Sequence, residues 1–470
     1  MIFNSLEFLV FFIIFFLLWP LVRMRNKSKW LFIIAASAIF YGWWDWRFLF
    51  LILFSGLIDY TAGIFLSKKQ KGKKIILGFS LLANLGSLSI FKYSEFFATI
   101  IQDVFKIVHI EIDLISRIPD FALILPVGIS FYTFQSLSYT IDIYRGKLHS
   151  TKNIFHFFSY LVMFPQLVAG PIIRASDFLN QLKTYRKVSY LEIWNAIKLI
   201  CFGLFQKVVI ADNLSFIIDS AYENKSAYDG TLYWWIVSIA FSFQIYTDFS
   251  GYSLIARGLA KLMGFHFKMN FNHPYLATSL KQFWKRWHIS LSTWFRDYIY
   301  IPLGGSKKGR FISISALVLT MFLSGLWHGS NYTYLAWAGL HSIFLFFERI
   351  TNWPKMLKHF TPFLIVIIFI QVTIAWVYFR AENIEQANMI IIELFDFKSS
   401  NLSFFDTYYN NLFFLYLGIL IELSIYLKKR FLSILKFYNN YNLDVISVTI
   451  SIIMILFFRG EGQQFIYFQF

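Results

Sequence analysis

Apolar and polar residues alternate along the chain in long blocks, and this pattern predicts membrane-spanning helices. Lipid offers the backbone no hydrogen bonds, so a spanning segment of about 20 apolar residues must be helical. These runs lack the period-two alternation of an outer-membrane barrel. The predicted fold is therefore an all-α polytopic membrane protein, with apolar stretches at residues 8–22, 30–44, 48–66, 75–91, 121–141, 192–211, 232–247, 311–327, 333–348, 361–379, 411–427 and 443–458.

Basic loops between these stretches predict the topology. Residues 23–29 contain four cations and residues 68–74 contain five, and two apolar stretches separate the two loops. Both loops therefore lie on one side, which the positive-inside rule makes cytoplasmic. The basic loops at 307–310 and 428–430 can also lie on the cytoplasmic side under the same count of membrane crossings. The aromatic hairpin at 43–47 and both chain ends are then predicted to face outward.

No internal repeat, low-complexity segment or long linker divides the chain, so one membrane domain over residues 1–470 is predicted. It comprises N-terminal helices over 1–120, a central part over 121–350 and C-terminal helices over 351–470. Between about 144 and 310 the chain carries more charge, glycine and proline. The string FWKRWH at 283–288 is not a credible lipid-facing span, and it indicates an interfacial helix or re-entrant structure buried in protein.

Composition excludes several classes of protein. The chain is 57% hydrophobic and 15% charged, whereas soluble domains carry about 45–50% apolar and about 25% charged residues. A soluble enzyme, a disordered protein and a fibrous protein are therefore excluded. The formal net charge of +17 lies mainly in short loops, so topology and membrane lipids explain it better than a nucleic-acid partner. The single Cys201 permits no internal disulfide.

His328 is the first candidate for chemistry, because it ends the apolar stretch 311–327 directly after Trp327. An ionisable side chain at membrane depth costs about 2.5–3.5 kcal/mol and marks a functional site by default. A neutral imidazole there can act as a general base for a hydroxyl. The alternative is a histidine that hydrogen-bonds a backbone carbonyl between helices. Gly325 and Gly329 fit either a close ligand or simple helix packing.

His288 is the second candidate, within the basic and aromatic sequence Lys285-Arg286-Trp287-His288. This setting suits an anionic, adenine-bearing ligand from the cytoplasm. The alternative is an interfacial belt in which tryptophans and cations meet lipid headgroups.

Asp248 ends another largely apolar run, and it either orients a histidine or forms a structural ion pair. His341 is predicted to pack in the core. No histidine pair has zincin-like spacing, and no P-loop, GxSxG elbow or dinucleotide fingerprint occurs. No metal site and no tightly bound cofactor are predicted.

Several ordered strings of rare residues resemble the membrane-bound O-acyltransferase family. Within it they resemble the bacterial branch of alginate and peptidoglycan O-acetyltransferases. The strings are LPVGISFYTFQ at 125–135, FPQLVAGP at 164–171 with Arg174, QIYTDFSGY at 244–252, NFN at 270–272, PYLATSL at 274–280, FWKRWHISLSTWFRDYIYIPLGG at 283–305, SGLWHG at 324–329, WVYFRA at 376–381 and FIYFQF at 465–470.

This resemblance implies a ring of about 11–12 transmembrane helices, plus re-entrant helices, around a central pore, with the catalytic core at 121–350. It implies that acetyl from cytoplasmic acetyl-CoA is passed across a bacterial inner membrane. The acceptor would be an extracytoplasmic polysaccharide, either an alginate-type exopolysaccharide or peptidoglycan. A periplasmic SGNH-type O-acetyltransferase would be the partner protein.

The resemblance also implies roles for individual residues. His328 matches the family's active-site histidine, and His288 matches the second histidine. Lys285, Arg286 and Arg296 would be available to phosphate groups, and Trp287, Trp327 and Asp248 complete the predicted binding residues. Alternatives are transfer of D-alanine or another acyl group to an envelope polymer, a transporter with a proton-relay histidine, and a scaffold that recruits the periplasmic enzyme.

Overall fold

A computed structural model describes residues 1–68, 71–167, 170–223, 228–431, 441–460, 462 and 465. These residues form helices, turns and irregular segments, and no strand occurs among them. Lys69, residues 168–169 of the FPQLVAGP string and residues 466–470 of the aromatic C-terminal string lie outside the described residues, as do the side chains of the basic loop 428–430. The predicted all-helical class is confirmed.

The chain forms two compact units, Met1–Ala196 with Ala256–Lys268, and Ile197–Ile255 with Met269–Phe470. These boundaries differ from the predicted subdivision at 120 and 350, and a single membrane domain stays a prediction. The helices that begin in the first unit are α1 (Leu6–Val22), α2 (Asn26–Asp45), α3 (Leu49–Lys68), α4 (Lys73–Leu88), α5 (Ser94–Ile107), α6 (Asp120–Leu123), α7 (Ile129–Tyr144), α8 (Ile154–Leu161), α9 (Phe164–Leu167), α10 (Ala175–Lys183) and α11 (Tyr190–Leu204).

The remaining helices begin in the second unit, where α13 starts before it continues into the first. They are α12 (Asp212–Tyr222), α13 (Thr231–Leu262), α14 (Leu280–Trp284), α15 (Ile289–Phe295), α16 (Arg310–His328), α17 (Tyr332–Thr351), α18 (Trp353–Met356), α19 (Thr361–Arg380), α20 (Ile384–Phe395), α21 (Phe404–Thr407), α22 (Tyr409–Phe431) and α23 (Tyr441–Phe457). Single π-helical stretches occur at Ser89–Tyr93, Phe205–Ala211 and Arg296–Tyr300.

Eleven of the twelve predicted apolar stretches each lie almost entirely within one uninterrupted helical segment. The stretch at 121–141 is the exception, because the chain leaves the helix after α6 and starts α7 only at Ile129. Pro126 restricts the backbone there, and Gly128 adopts a left-handed conformation with φ 74°. That one predicted span was therefore wrong as a continuous helix.

Among the described residues, six helical segments are long and apolar enough to cross a membrane: Asn26–Lys68, Lys73–Ile107, Tyr190–Tyr222, Arg310–His328, Thr361–Arg380 and Tyr409–Leu427. The first of them joins two predicted stretches, because α2 and α3 are linked only by the short helix Trp46–Phe48. Two shorter apolar helices, Leu6–Val22 and Asp444–Phe457, add to these. The chain is a multi-pass membrane protein.

A buried polar cluster fastens α3, α4 and α7 together within the first unit. The carboxylate of Asp59 on α3 accepts hydrogen bonds from the hydroxyls of Ser80 and Ser136 and from the amide of Asn84, the last at 3.1 Å. Ser55 donates to the Asn84 Oδ1 at 2.5 Å. Polar side chains of this kind hold helices together where lipid gives no hydrophobic force between them.

Candidate active site

His328 is the last residue of α16, and close packing against α17 fixes its place. It is 3% exposed. A Cβ on Gly329 would lie 2.0 Å from the ring of Tyr334, and one on Gly325 would lie 2.5 Å from the Tyr334 carbonyl oxygen. Both glycines are therefore required by the contact between α16 and α17, which is the helix-packing alternative left open by the sequence.

Aromatic side chains surround the imidazole of His328. The ring centroids of Trp327, Trp337 and Phe379 lie 5.0, 5.2 and 5.2 Å from the centroid of His328, all in edge-to-face arrangements. Together with the 3% exposure of His328, this environment keeps bulk water away from the ring.

His288 lies on the other side of Trp327. The Trp327 ring centroid is 5.9 Å from that of His288 and 5.0 Å from that of His328. His288 is fully buried, and it lies outside the segments long and apolar enough to cross the membrane. Burial lowers the pKa of His288 to about 3. The structure thus brings the two predicted histidines together around one indole, and His288 is neutral.

Asn270 holds the turn that carries His288. The Asn270 Oδ1 lies 3.3 Å from the His288 Nδ1 and accepts from the Ser290 N–H at 3.1 Å, while the Asn270 carbonyl accepts from the Ile289 N–H at 2.8 Å. His288 has a left-handed backbone with φ 39°. A non-glycine residue there costs about 1–3 kcal/mol, so the surrounding hydrogen bonds must maintain it.

Asp248 belongs to a buried ion cluster in the second unit. The Lys207 Nζ lies 2.8 Å from the Asp212 Oδ1 and 2.9 Å from the Asp248 Oδ1. Each of these three side chains is at least nine-tenths buried. The next residue, Phe249, contacts His288 with a centroid separation of 4.6 Å. This is the structural ion pair that the sequence left as an alternative, and it lies close to the second histidine.

A pocket of about 630 Å³ opens in the second unit, and its lining includes Trp284, Leu291 and Ser324 but neither histidine. Its lining is rich in cations and contains one acid, Glu348. The cations are Lys281, Lys285, Arg296, Arg349, Lys355 and Lys358. Apolar side chains of α15, α16 and α17 form the rest of the wall, including Leu291, Leu317 and Leu345. A cleft of this size with a cationic lining suits an anionic ligand that has an apolar part.

One face of α16 leads from this pocket to His328. The α16 residues that line the pocket are Leu317, Thr320, Met321 and Ser324. They recur at helical spacing, and His328 follows Ser324 by one turn on the same face. His328 therefore continues the pocket wall formed by α16.

The predicted cationic residues divide in the structure. Lys285 and Arg296 line the pocket, and Arg296 also pairs with Asp297 at 2.7 Å. Arg286 instead donates to the carbonyl oxygens of Leu276 and His273, at 3.0 and 3.3 Å, and does not line the pocket. Its role in binding phosphate stays a prediction that these contacts do not favour.

Trp287 packs in the core beside the site. It is 1% exposed, and its ring lies 5.0 Å from Trp376 and 5.1 Å from Phe271. These contacts place it among aromatic side chains instead of in the pocket wall. The role of Trp287 in binding stays a prediction.

Comparison with known proteins identifies the family of the chain. The profile of the membrane-bound O-acyltransferase family matches residues 38–390 of the 470. The chain belongs to this family. Probable alginate O-acetylases of Pseudomonas aeruginosa and Pseudomonas putida are 37% identical over 447 residues and 38% identical over 411 residues. These alignments cover 93% and 86% of this chain, and 82% of each relative.

A peptidoglycan O-acetyltransferase of Helicobacter pylori is 33% identical over 392 residues, which are 77% of this chain and 72% of that protein. The chain is therefore a membrane-bound O-acyltransferase enzyme.

Sequence reasoning missed several residues of this O-acyltransferase site. Asn270 was part of a family string, yet nothing in the sequence placed it beside His288. Glu348 accepts from the N–H groups of Leu280 and Lys281, at 2.5 and 3.2 Å, and so caps the start of α14 inside the pocket. The sequence signal that could have found Glu348 is its helical spacing to Leu345 and His341 on α17.

Proposed function

We propose that the enzyme transfers acetyl groups from cytoplasmic acetyl-CoA to hydroxyls of an extracytoplasmic polysaccharide, with His328 as general base. The supporting observation is the single α16 face that runs from the cationic pocket to His328. Arg310 at the other end of α16 belongs to a basic loop, which the positive-inside rule places in the cytoplasm. The pocket would therefore admit its ligand from that side.

The pocket chemistry fits a coenzyme A thioester. Its six cations can meet the phosphate groups, and the apolar walls of α15, α16 and α17 can cover the neutral part of the molecule. Lys285 and Arg296 are the predicted phosphate ligands that this pocket contains. Lys281, Arg349, Lys355 and Lys358 add to them.

The reaction requires one proton to move twice. The Nε2 or Nδ1 of His328 accepts the proton of the acceptor hydroxyl as its oxygen attacks the thioester carbonyl carbon. The C–S bond breaks, and the imidazolium of His328 donates the same proton to the leaving thiolate. Atoms and charge balance without a further reactant, which agrees with a site built from neutral aromatic and imidazole groups.

Relatives suggest the acceptor class. Those described above are named for acetylation of alginate or of peptidoglycan, so the proposed acceptor is one of these two envelope polysaccharides. The enzyme would then lie in the bacterial inner membrane and work with a periplasmic SGNH-type acetyltransferase. Both points rest on resemblance and on the proposed topology.

The test is acetyl transfer by the purified enzyme in lipid nanodiscs with radiolabelled acetyl-CoA and the periplasmic partner. We expect release of the coenzyme thiol and labelled polysaccharide. His328→Ala should lower turnover by about 10² to 10⁴-fold, the usual contribution of a general base. The matched control is His149→Ala, because His149 is an exposed histidine in the first unit.

Two results would contradict the proposal. Normal transfer by a well-folded His328→Ala protein would exclude the general-base role. Movement of acetyl-CoA or of protons without release of the thiol would instead support the transporter alternative.

A further inference from the structure

Three aromatic side chains between the pocket and His328 carry polar atoms that the fold does not use. The ring centroids of Trp284 and His341 lie 5.0 Å apart, those of Trp337 and His341 4.9 Å, and those of Trp284 and Trp337 5.8 Å. We call these residues the indole–imidazole triad. The sequence predicted only core packing for His341.

None of the four nitrogens of the triad has a hydrogen-bond partner among the described residues. These are both ring nitrogens of His341 and the indole N–H groups of Trp284 and Trp337, and all four are buried. Native proteins pair almost all buried polar atoms, because an unpaired one loses its hydration without compensation. Four such atoms on three adjacent rings point to a polar group that occupies this place during function.

The same helix face that lines the pocket contains His341. Leu345, Glu348 and Arg349 of α17 line the pocket, as does Asn352 directly after the helix. His341 lies one turn before Leu345, and Trp337 lies one turn before His341, so all share this face. Trp284 lines the pocket directly. The pocket faces of α16 and α17 thus lead to His328 and His341 respectively.

The triad offers three hydrogen-bond donors and one acceptor, because a neutral imidazole has one N–H and one bare nitrogen. Between the cationic pocket and the base, a coenzyme A thioester has its pantetheine arm, with two secondary amides and the thioester carbonyl. Each amide provides one acceptor oxygen and one N–H.

We propose that Trp284, Trp337 and His341 bind the polar groups of a pantetheine arm and so position its thioester at His328. This inference rests on the proposed function, because it assigns the part of the acyl donor that reaches beyond the cationic pocket. A pantetheine arm reaches proteins either on coenzyme A or on an acyl carrier protein. The experiment separates these two sources.

The experiment measures kcat and KM with acetyl-CoA, with acetyl-pantetheine, which lacks the nucleotide phosphates, and with an acetylated carrier protein. His341→Leu should raise KM by about tenfold for every substrate that the wild type uses, since it removes hydrogen bonds to the arm. His341→Gln keeps a donor and an acceptor, and should recover much of the loss. Arg349→Ala should raise KM for acetyl-CoA and leave acetyl-pantetheine unchanged.

Trp284→Phe and Trp337→Phe keep an aromatic ring and remove one N–H each, so each should raise KM severalfold while the thermal midpoint stays near the wild-type value. They keep the test valid if His341→Leu fails to fold. Unchanged KM for all three substrates in folded Trp284→Phe, Trp337→Phe and His341→Leu proteins would overturn the proposal.

Failure of the proposed function looks different. If the wild-type enzyme releases no thiol from any of the three substrates, its acyl donor is not a pantetheine thioester. That result would contradict both proposals. If the enzyme uses only the acetylated carrier protein, and His341→Leu impairs that reaction, the proposed role of the triad is supported. The carrier protein would then be the acyl donor in place of acetyl-CoA.

Discussion

The Asp59 cluster of the first unit and the indole–imidazole triad of the second are both buried polar groups, yet they differ in how their polar atoms are paired. The Asp59 carboxylate has three donors on neighbouring helices. The four nitrogens of the triad have no partner among the described residues. Both clusters lie within helical packing, so burial alone does not separate them.

The difference teaches that hydrogen-bond pairing separates structural polar groups from functional ones. A carboxylate whose donors sit on adjacent helices stabilises those helices, and its removal leaves the donors unpaired. An uncharged polar group without hydrogen-bond partners adds no such link between helices. In the triad, this agrees with the ligand proposed above. The comparison therefore predicts opposite effects of mutations on stability.

The largest effect is expected at Lys207, which joins Asp212 and Asp248 by ion pairs in a second buried cluster. Lys207→Met leaves two buried carboxylates close together without a cation, and should cost about 3–5 kcal/mol of unfolding free energy. Denaturation in detergent micelles measures this loss. The triple variant Lys207→Met, Asp212→Asn, Asp248→Asn should recover most of it. A single Lys207→Met protein as stable as wild type would contradict a structural role for this cluster.

The Asp59 cluster should show the next largest effect. Asp59→Leu removes the acceptor of Ser80, Ser136 and Asn84, and we expect a loss of about 2–4 kcal/mol in the same denaturation assay. Asp59→Asn keeps one carbonyl oxygen and should lose less. Equal stability of Asp59→Leu and wild type would remove the contrast with the triad. The KM for the acyl donor should not change in either variant.

The helices could be predicted from the sequence, which also singled out the two histidines that the structure places beside Trp327. The pocket could not be predicted. Apolar runs determine helices in lipid because the backbone has no alternative partner there, and only the turn at Pro126 and Gly128 broke a predicted run. His328 and His288 stood out because ionisable residues are rare in apolar or aromatic settings. The pocket depends on how α14 and α16–α18 pack, so no local pattern revealed that Arg349 and Lys355 share it with Lys285.

His288 is intermediate between the Asp59 cluster and the triad in how its polar atoms are paired. Its ring is fully buried, and Asn270 faces its Nδ1. Burial lowers the pKa of His288 to about 3, below about 6.5 in an unfolded chain. The unfolded state therefore binds more protons below pH 6.5, so stability is present above that pH and falls as the pH drops towards 3.

Between pH 7 and pH 5 this linkage should remove about 2 kcal/mol of stability. His288→Asn tolerates the left-handed backbone and cannot be protonated, so it should reduce that pH dependence by the same amount. Chemical denaturation at the two pH values measures the difference. An unchanged pH dependence in His288→Asn would mean that His288 has the same pKa in the folded enzyme as in the unfolded chain.

The smallest effect on stability is expected at His341, and this is the sharpest test of the comparison. In His341→Leu an imidazole without partners is replaced by an apolar side chain among Phe283, Trp284 and Trp337. The substitution removes the desolvation cost of two unpaired nitrogens, and this gain offsets the lost ring contacts. The unfolding free energy should therefore change by less than about 1 kcal/mol. The same variant should still raise the KM for the acyl donor. A loss of stability as large as that of Asp59→Leu would show that the fold itself needs the imidazole, and the pairing of polar atoms would then no longer distinguish the two regions.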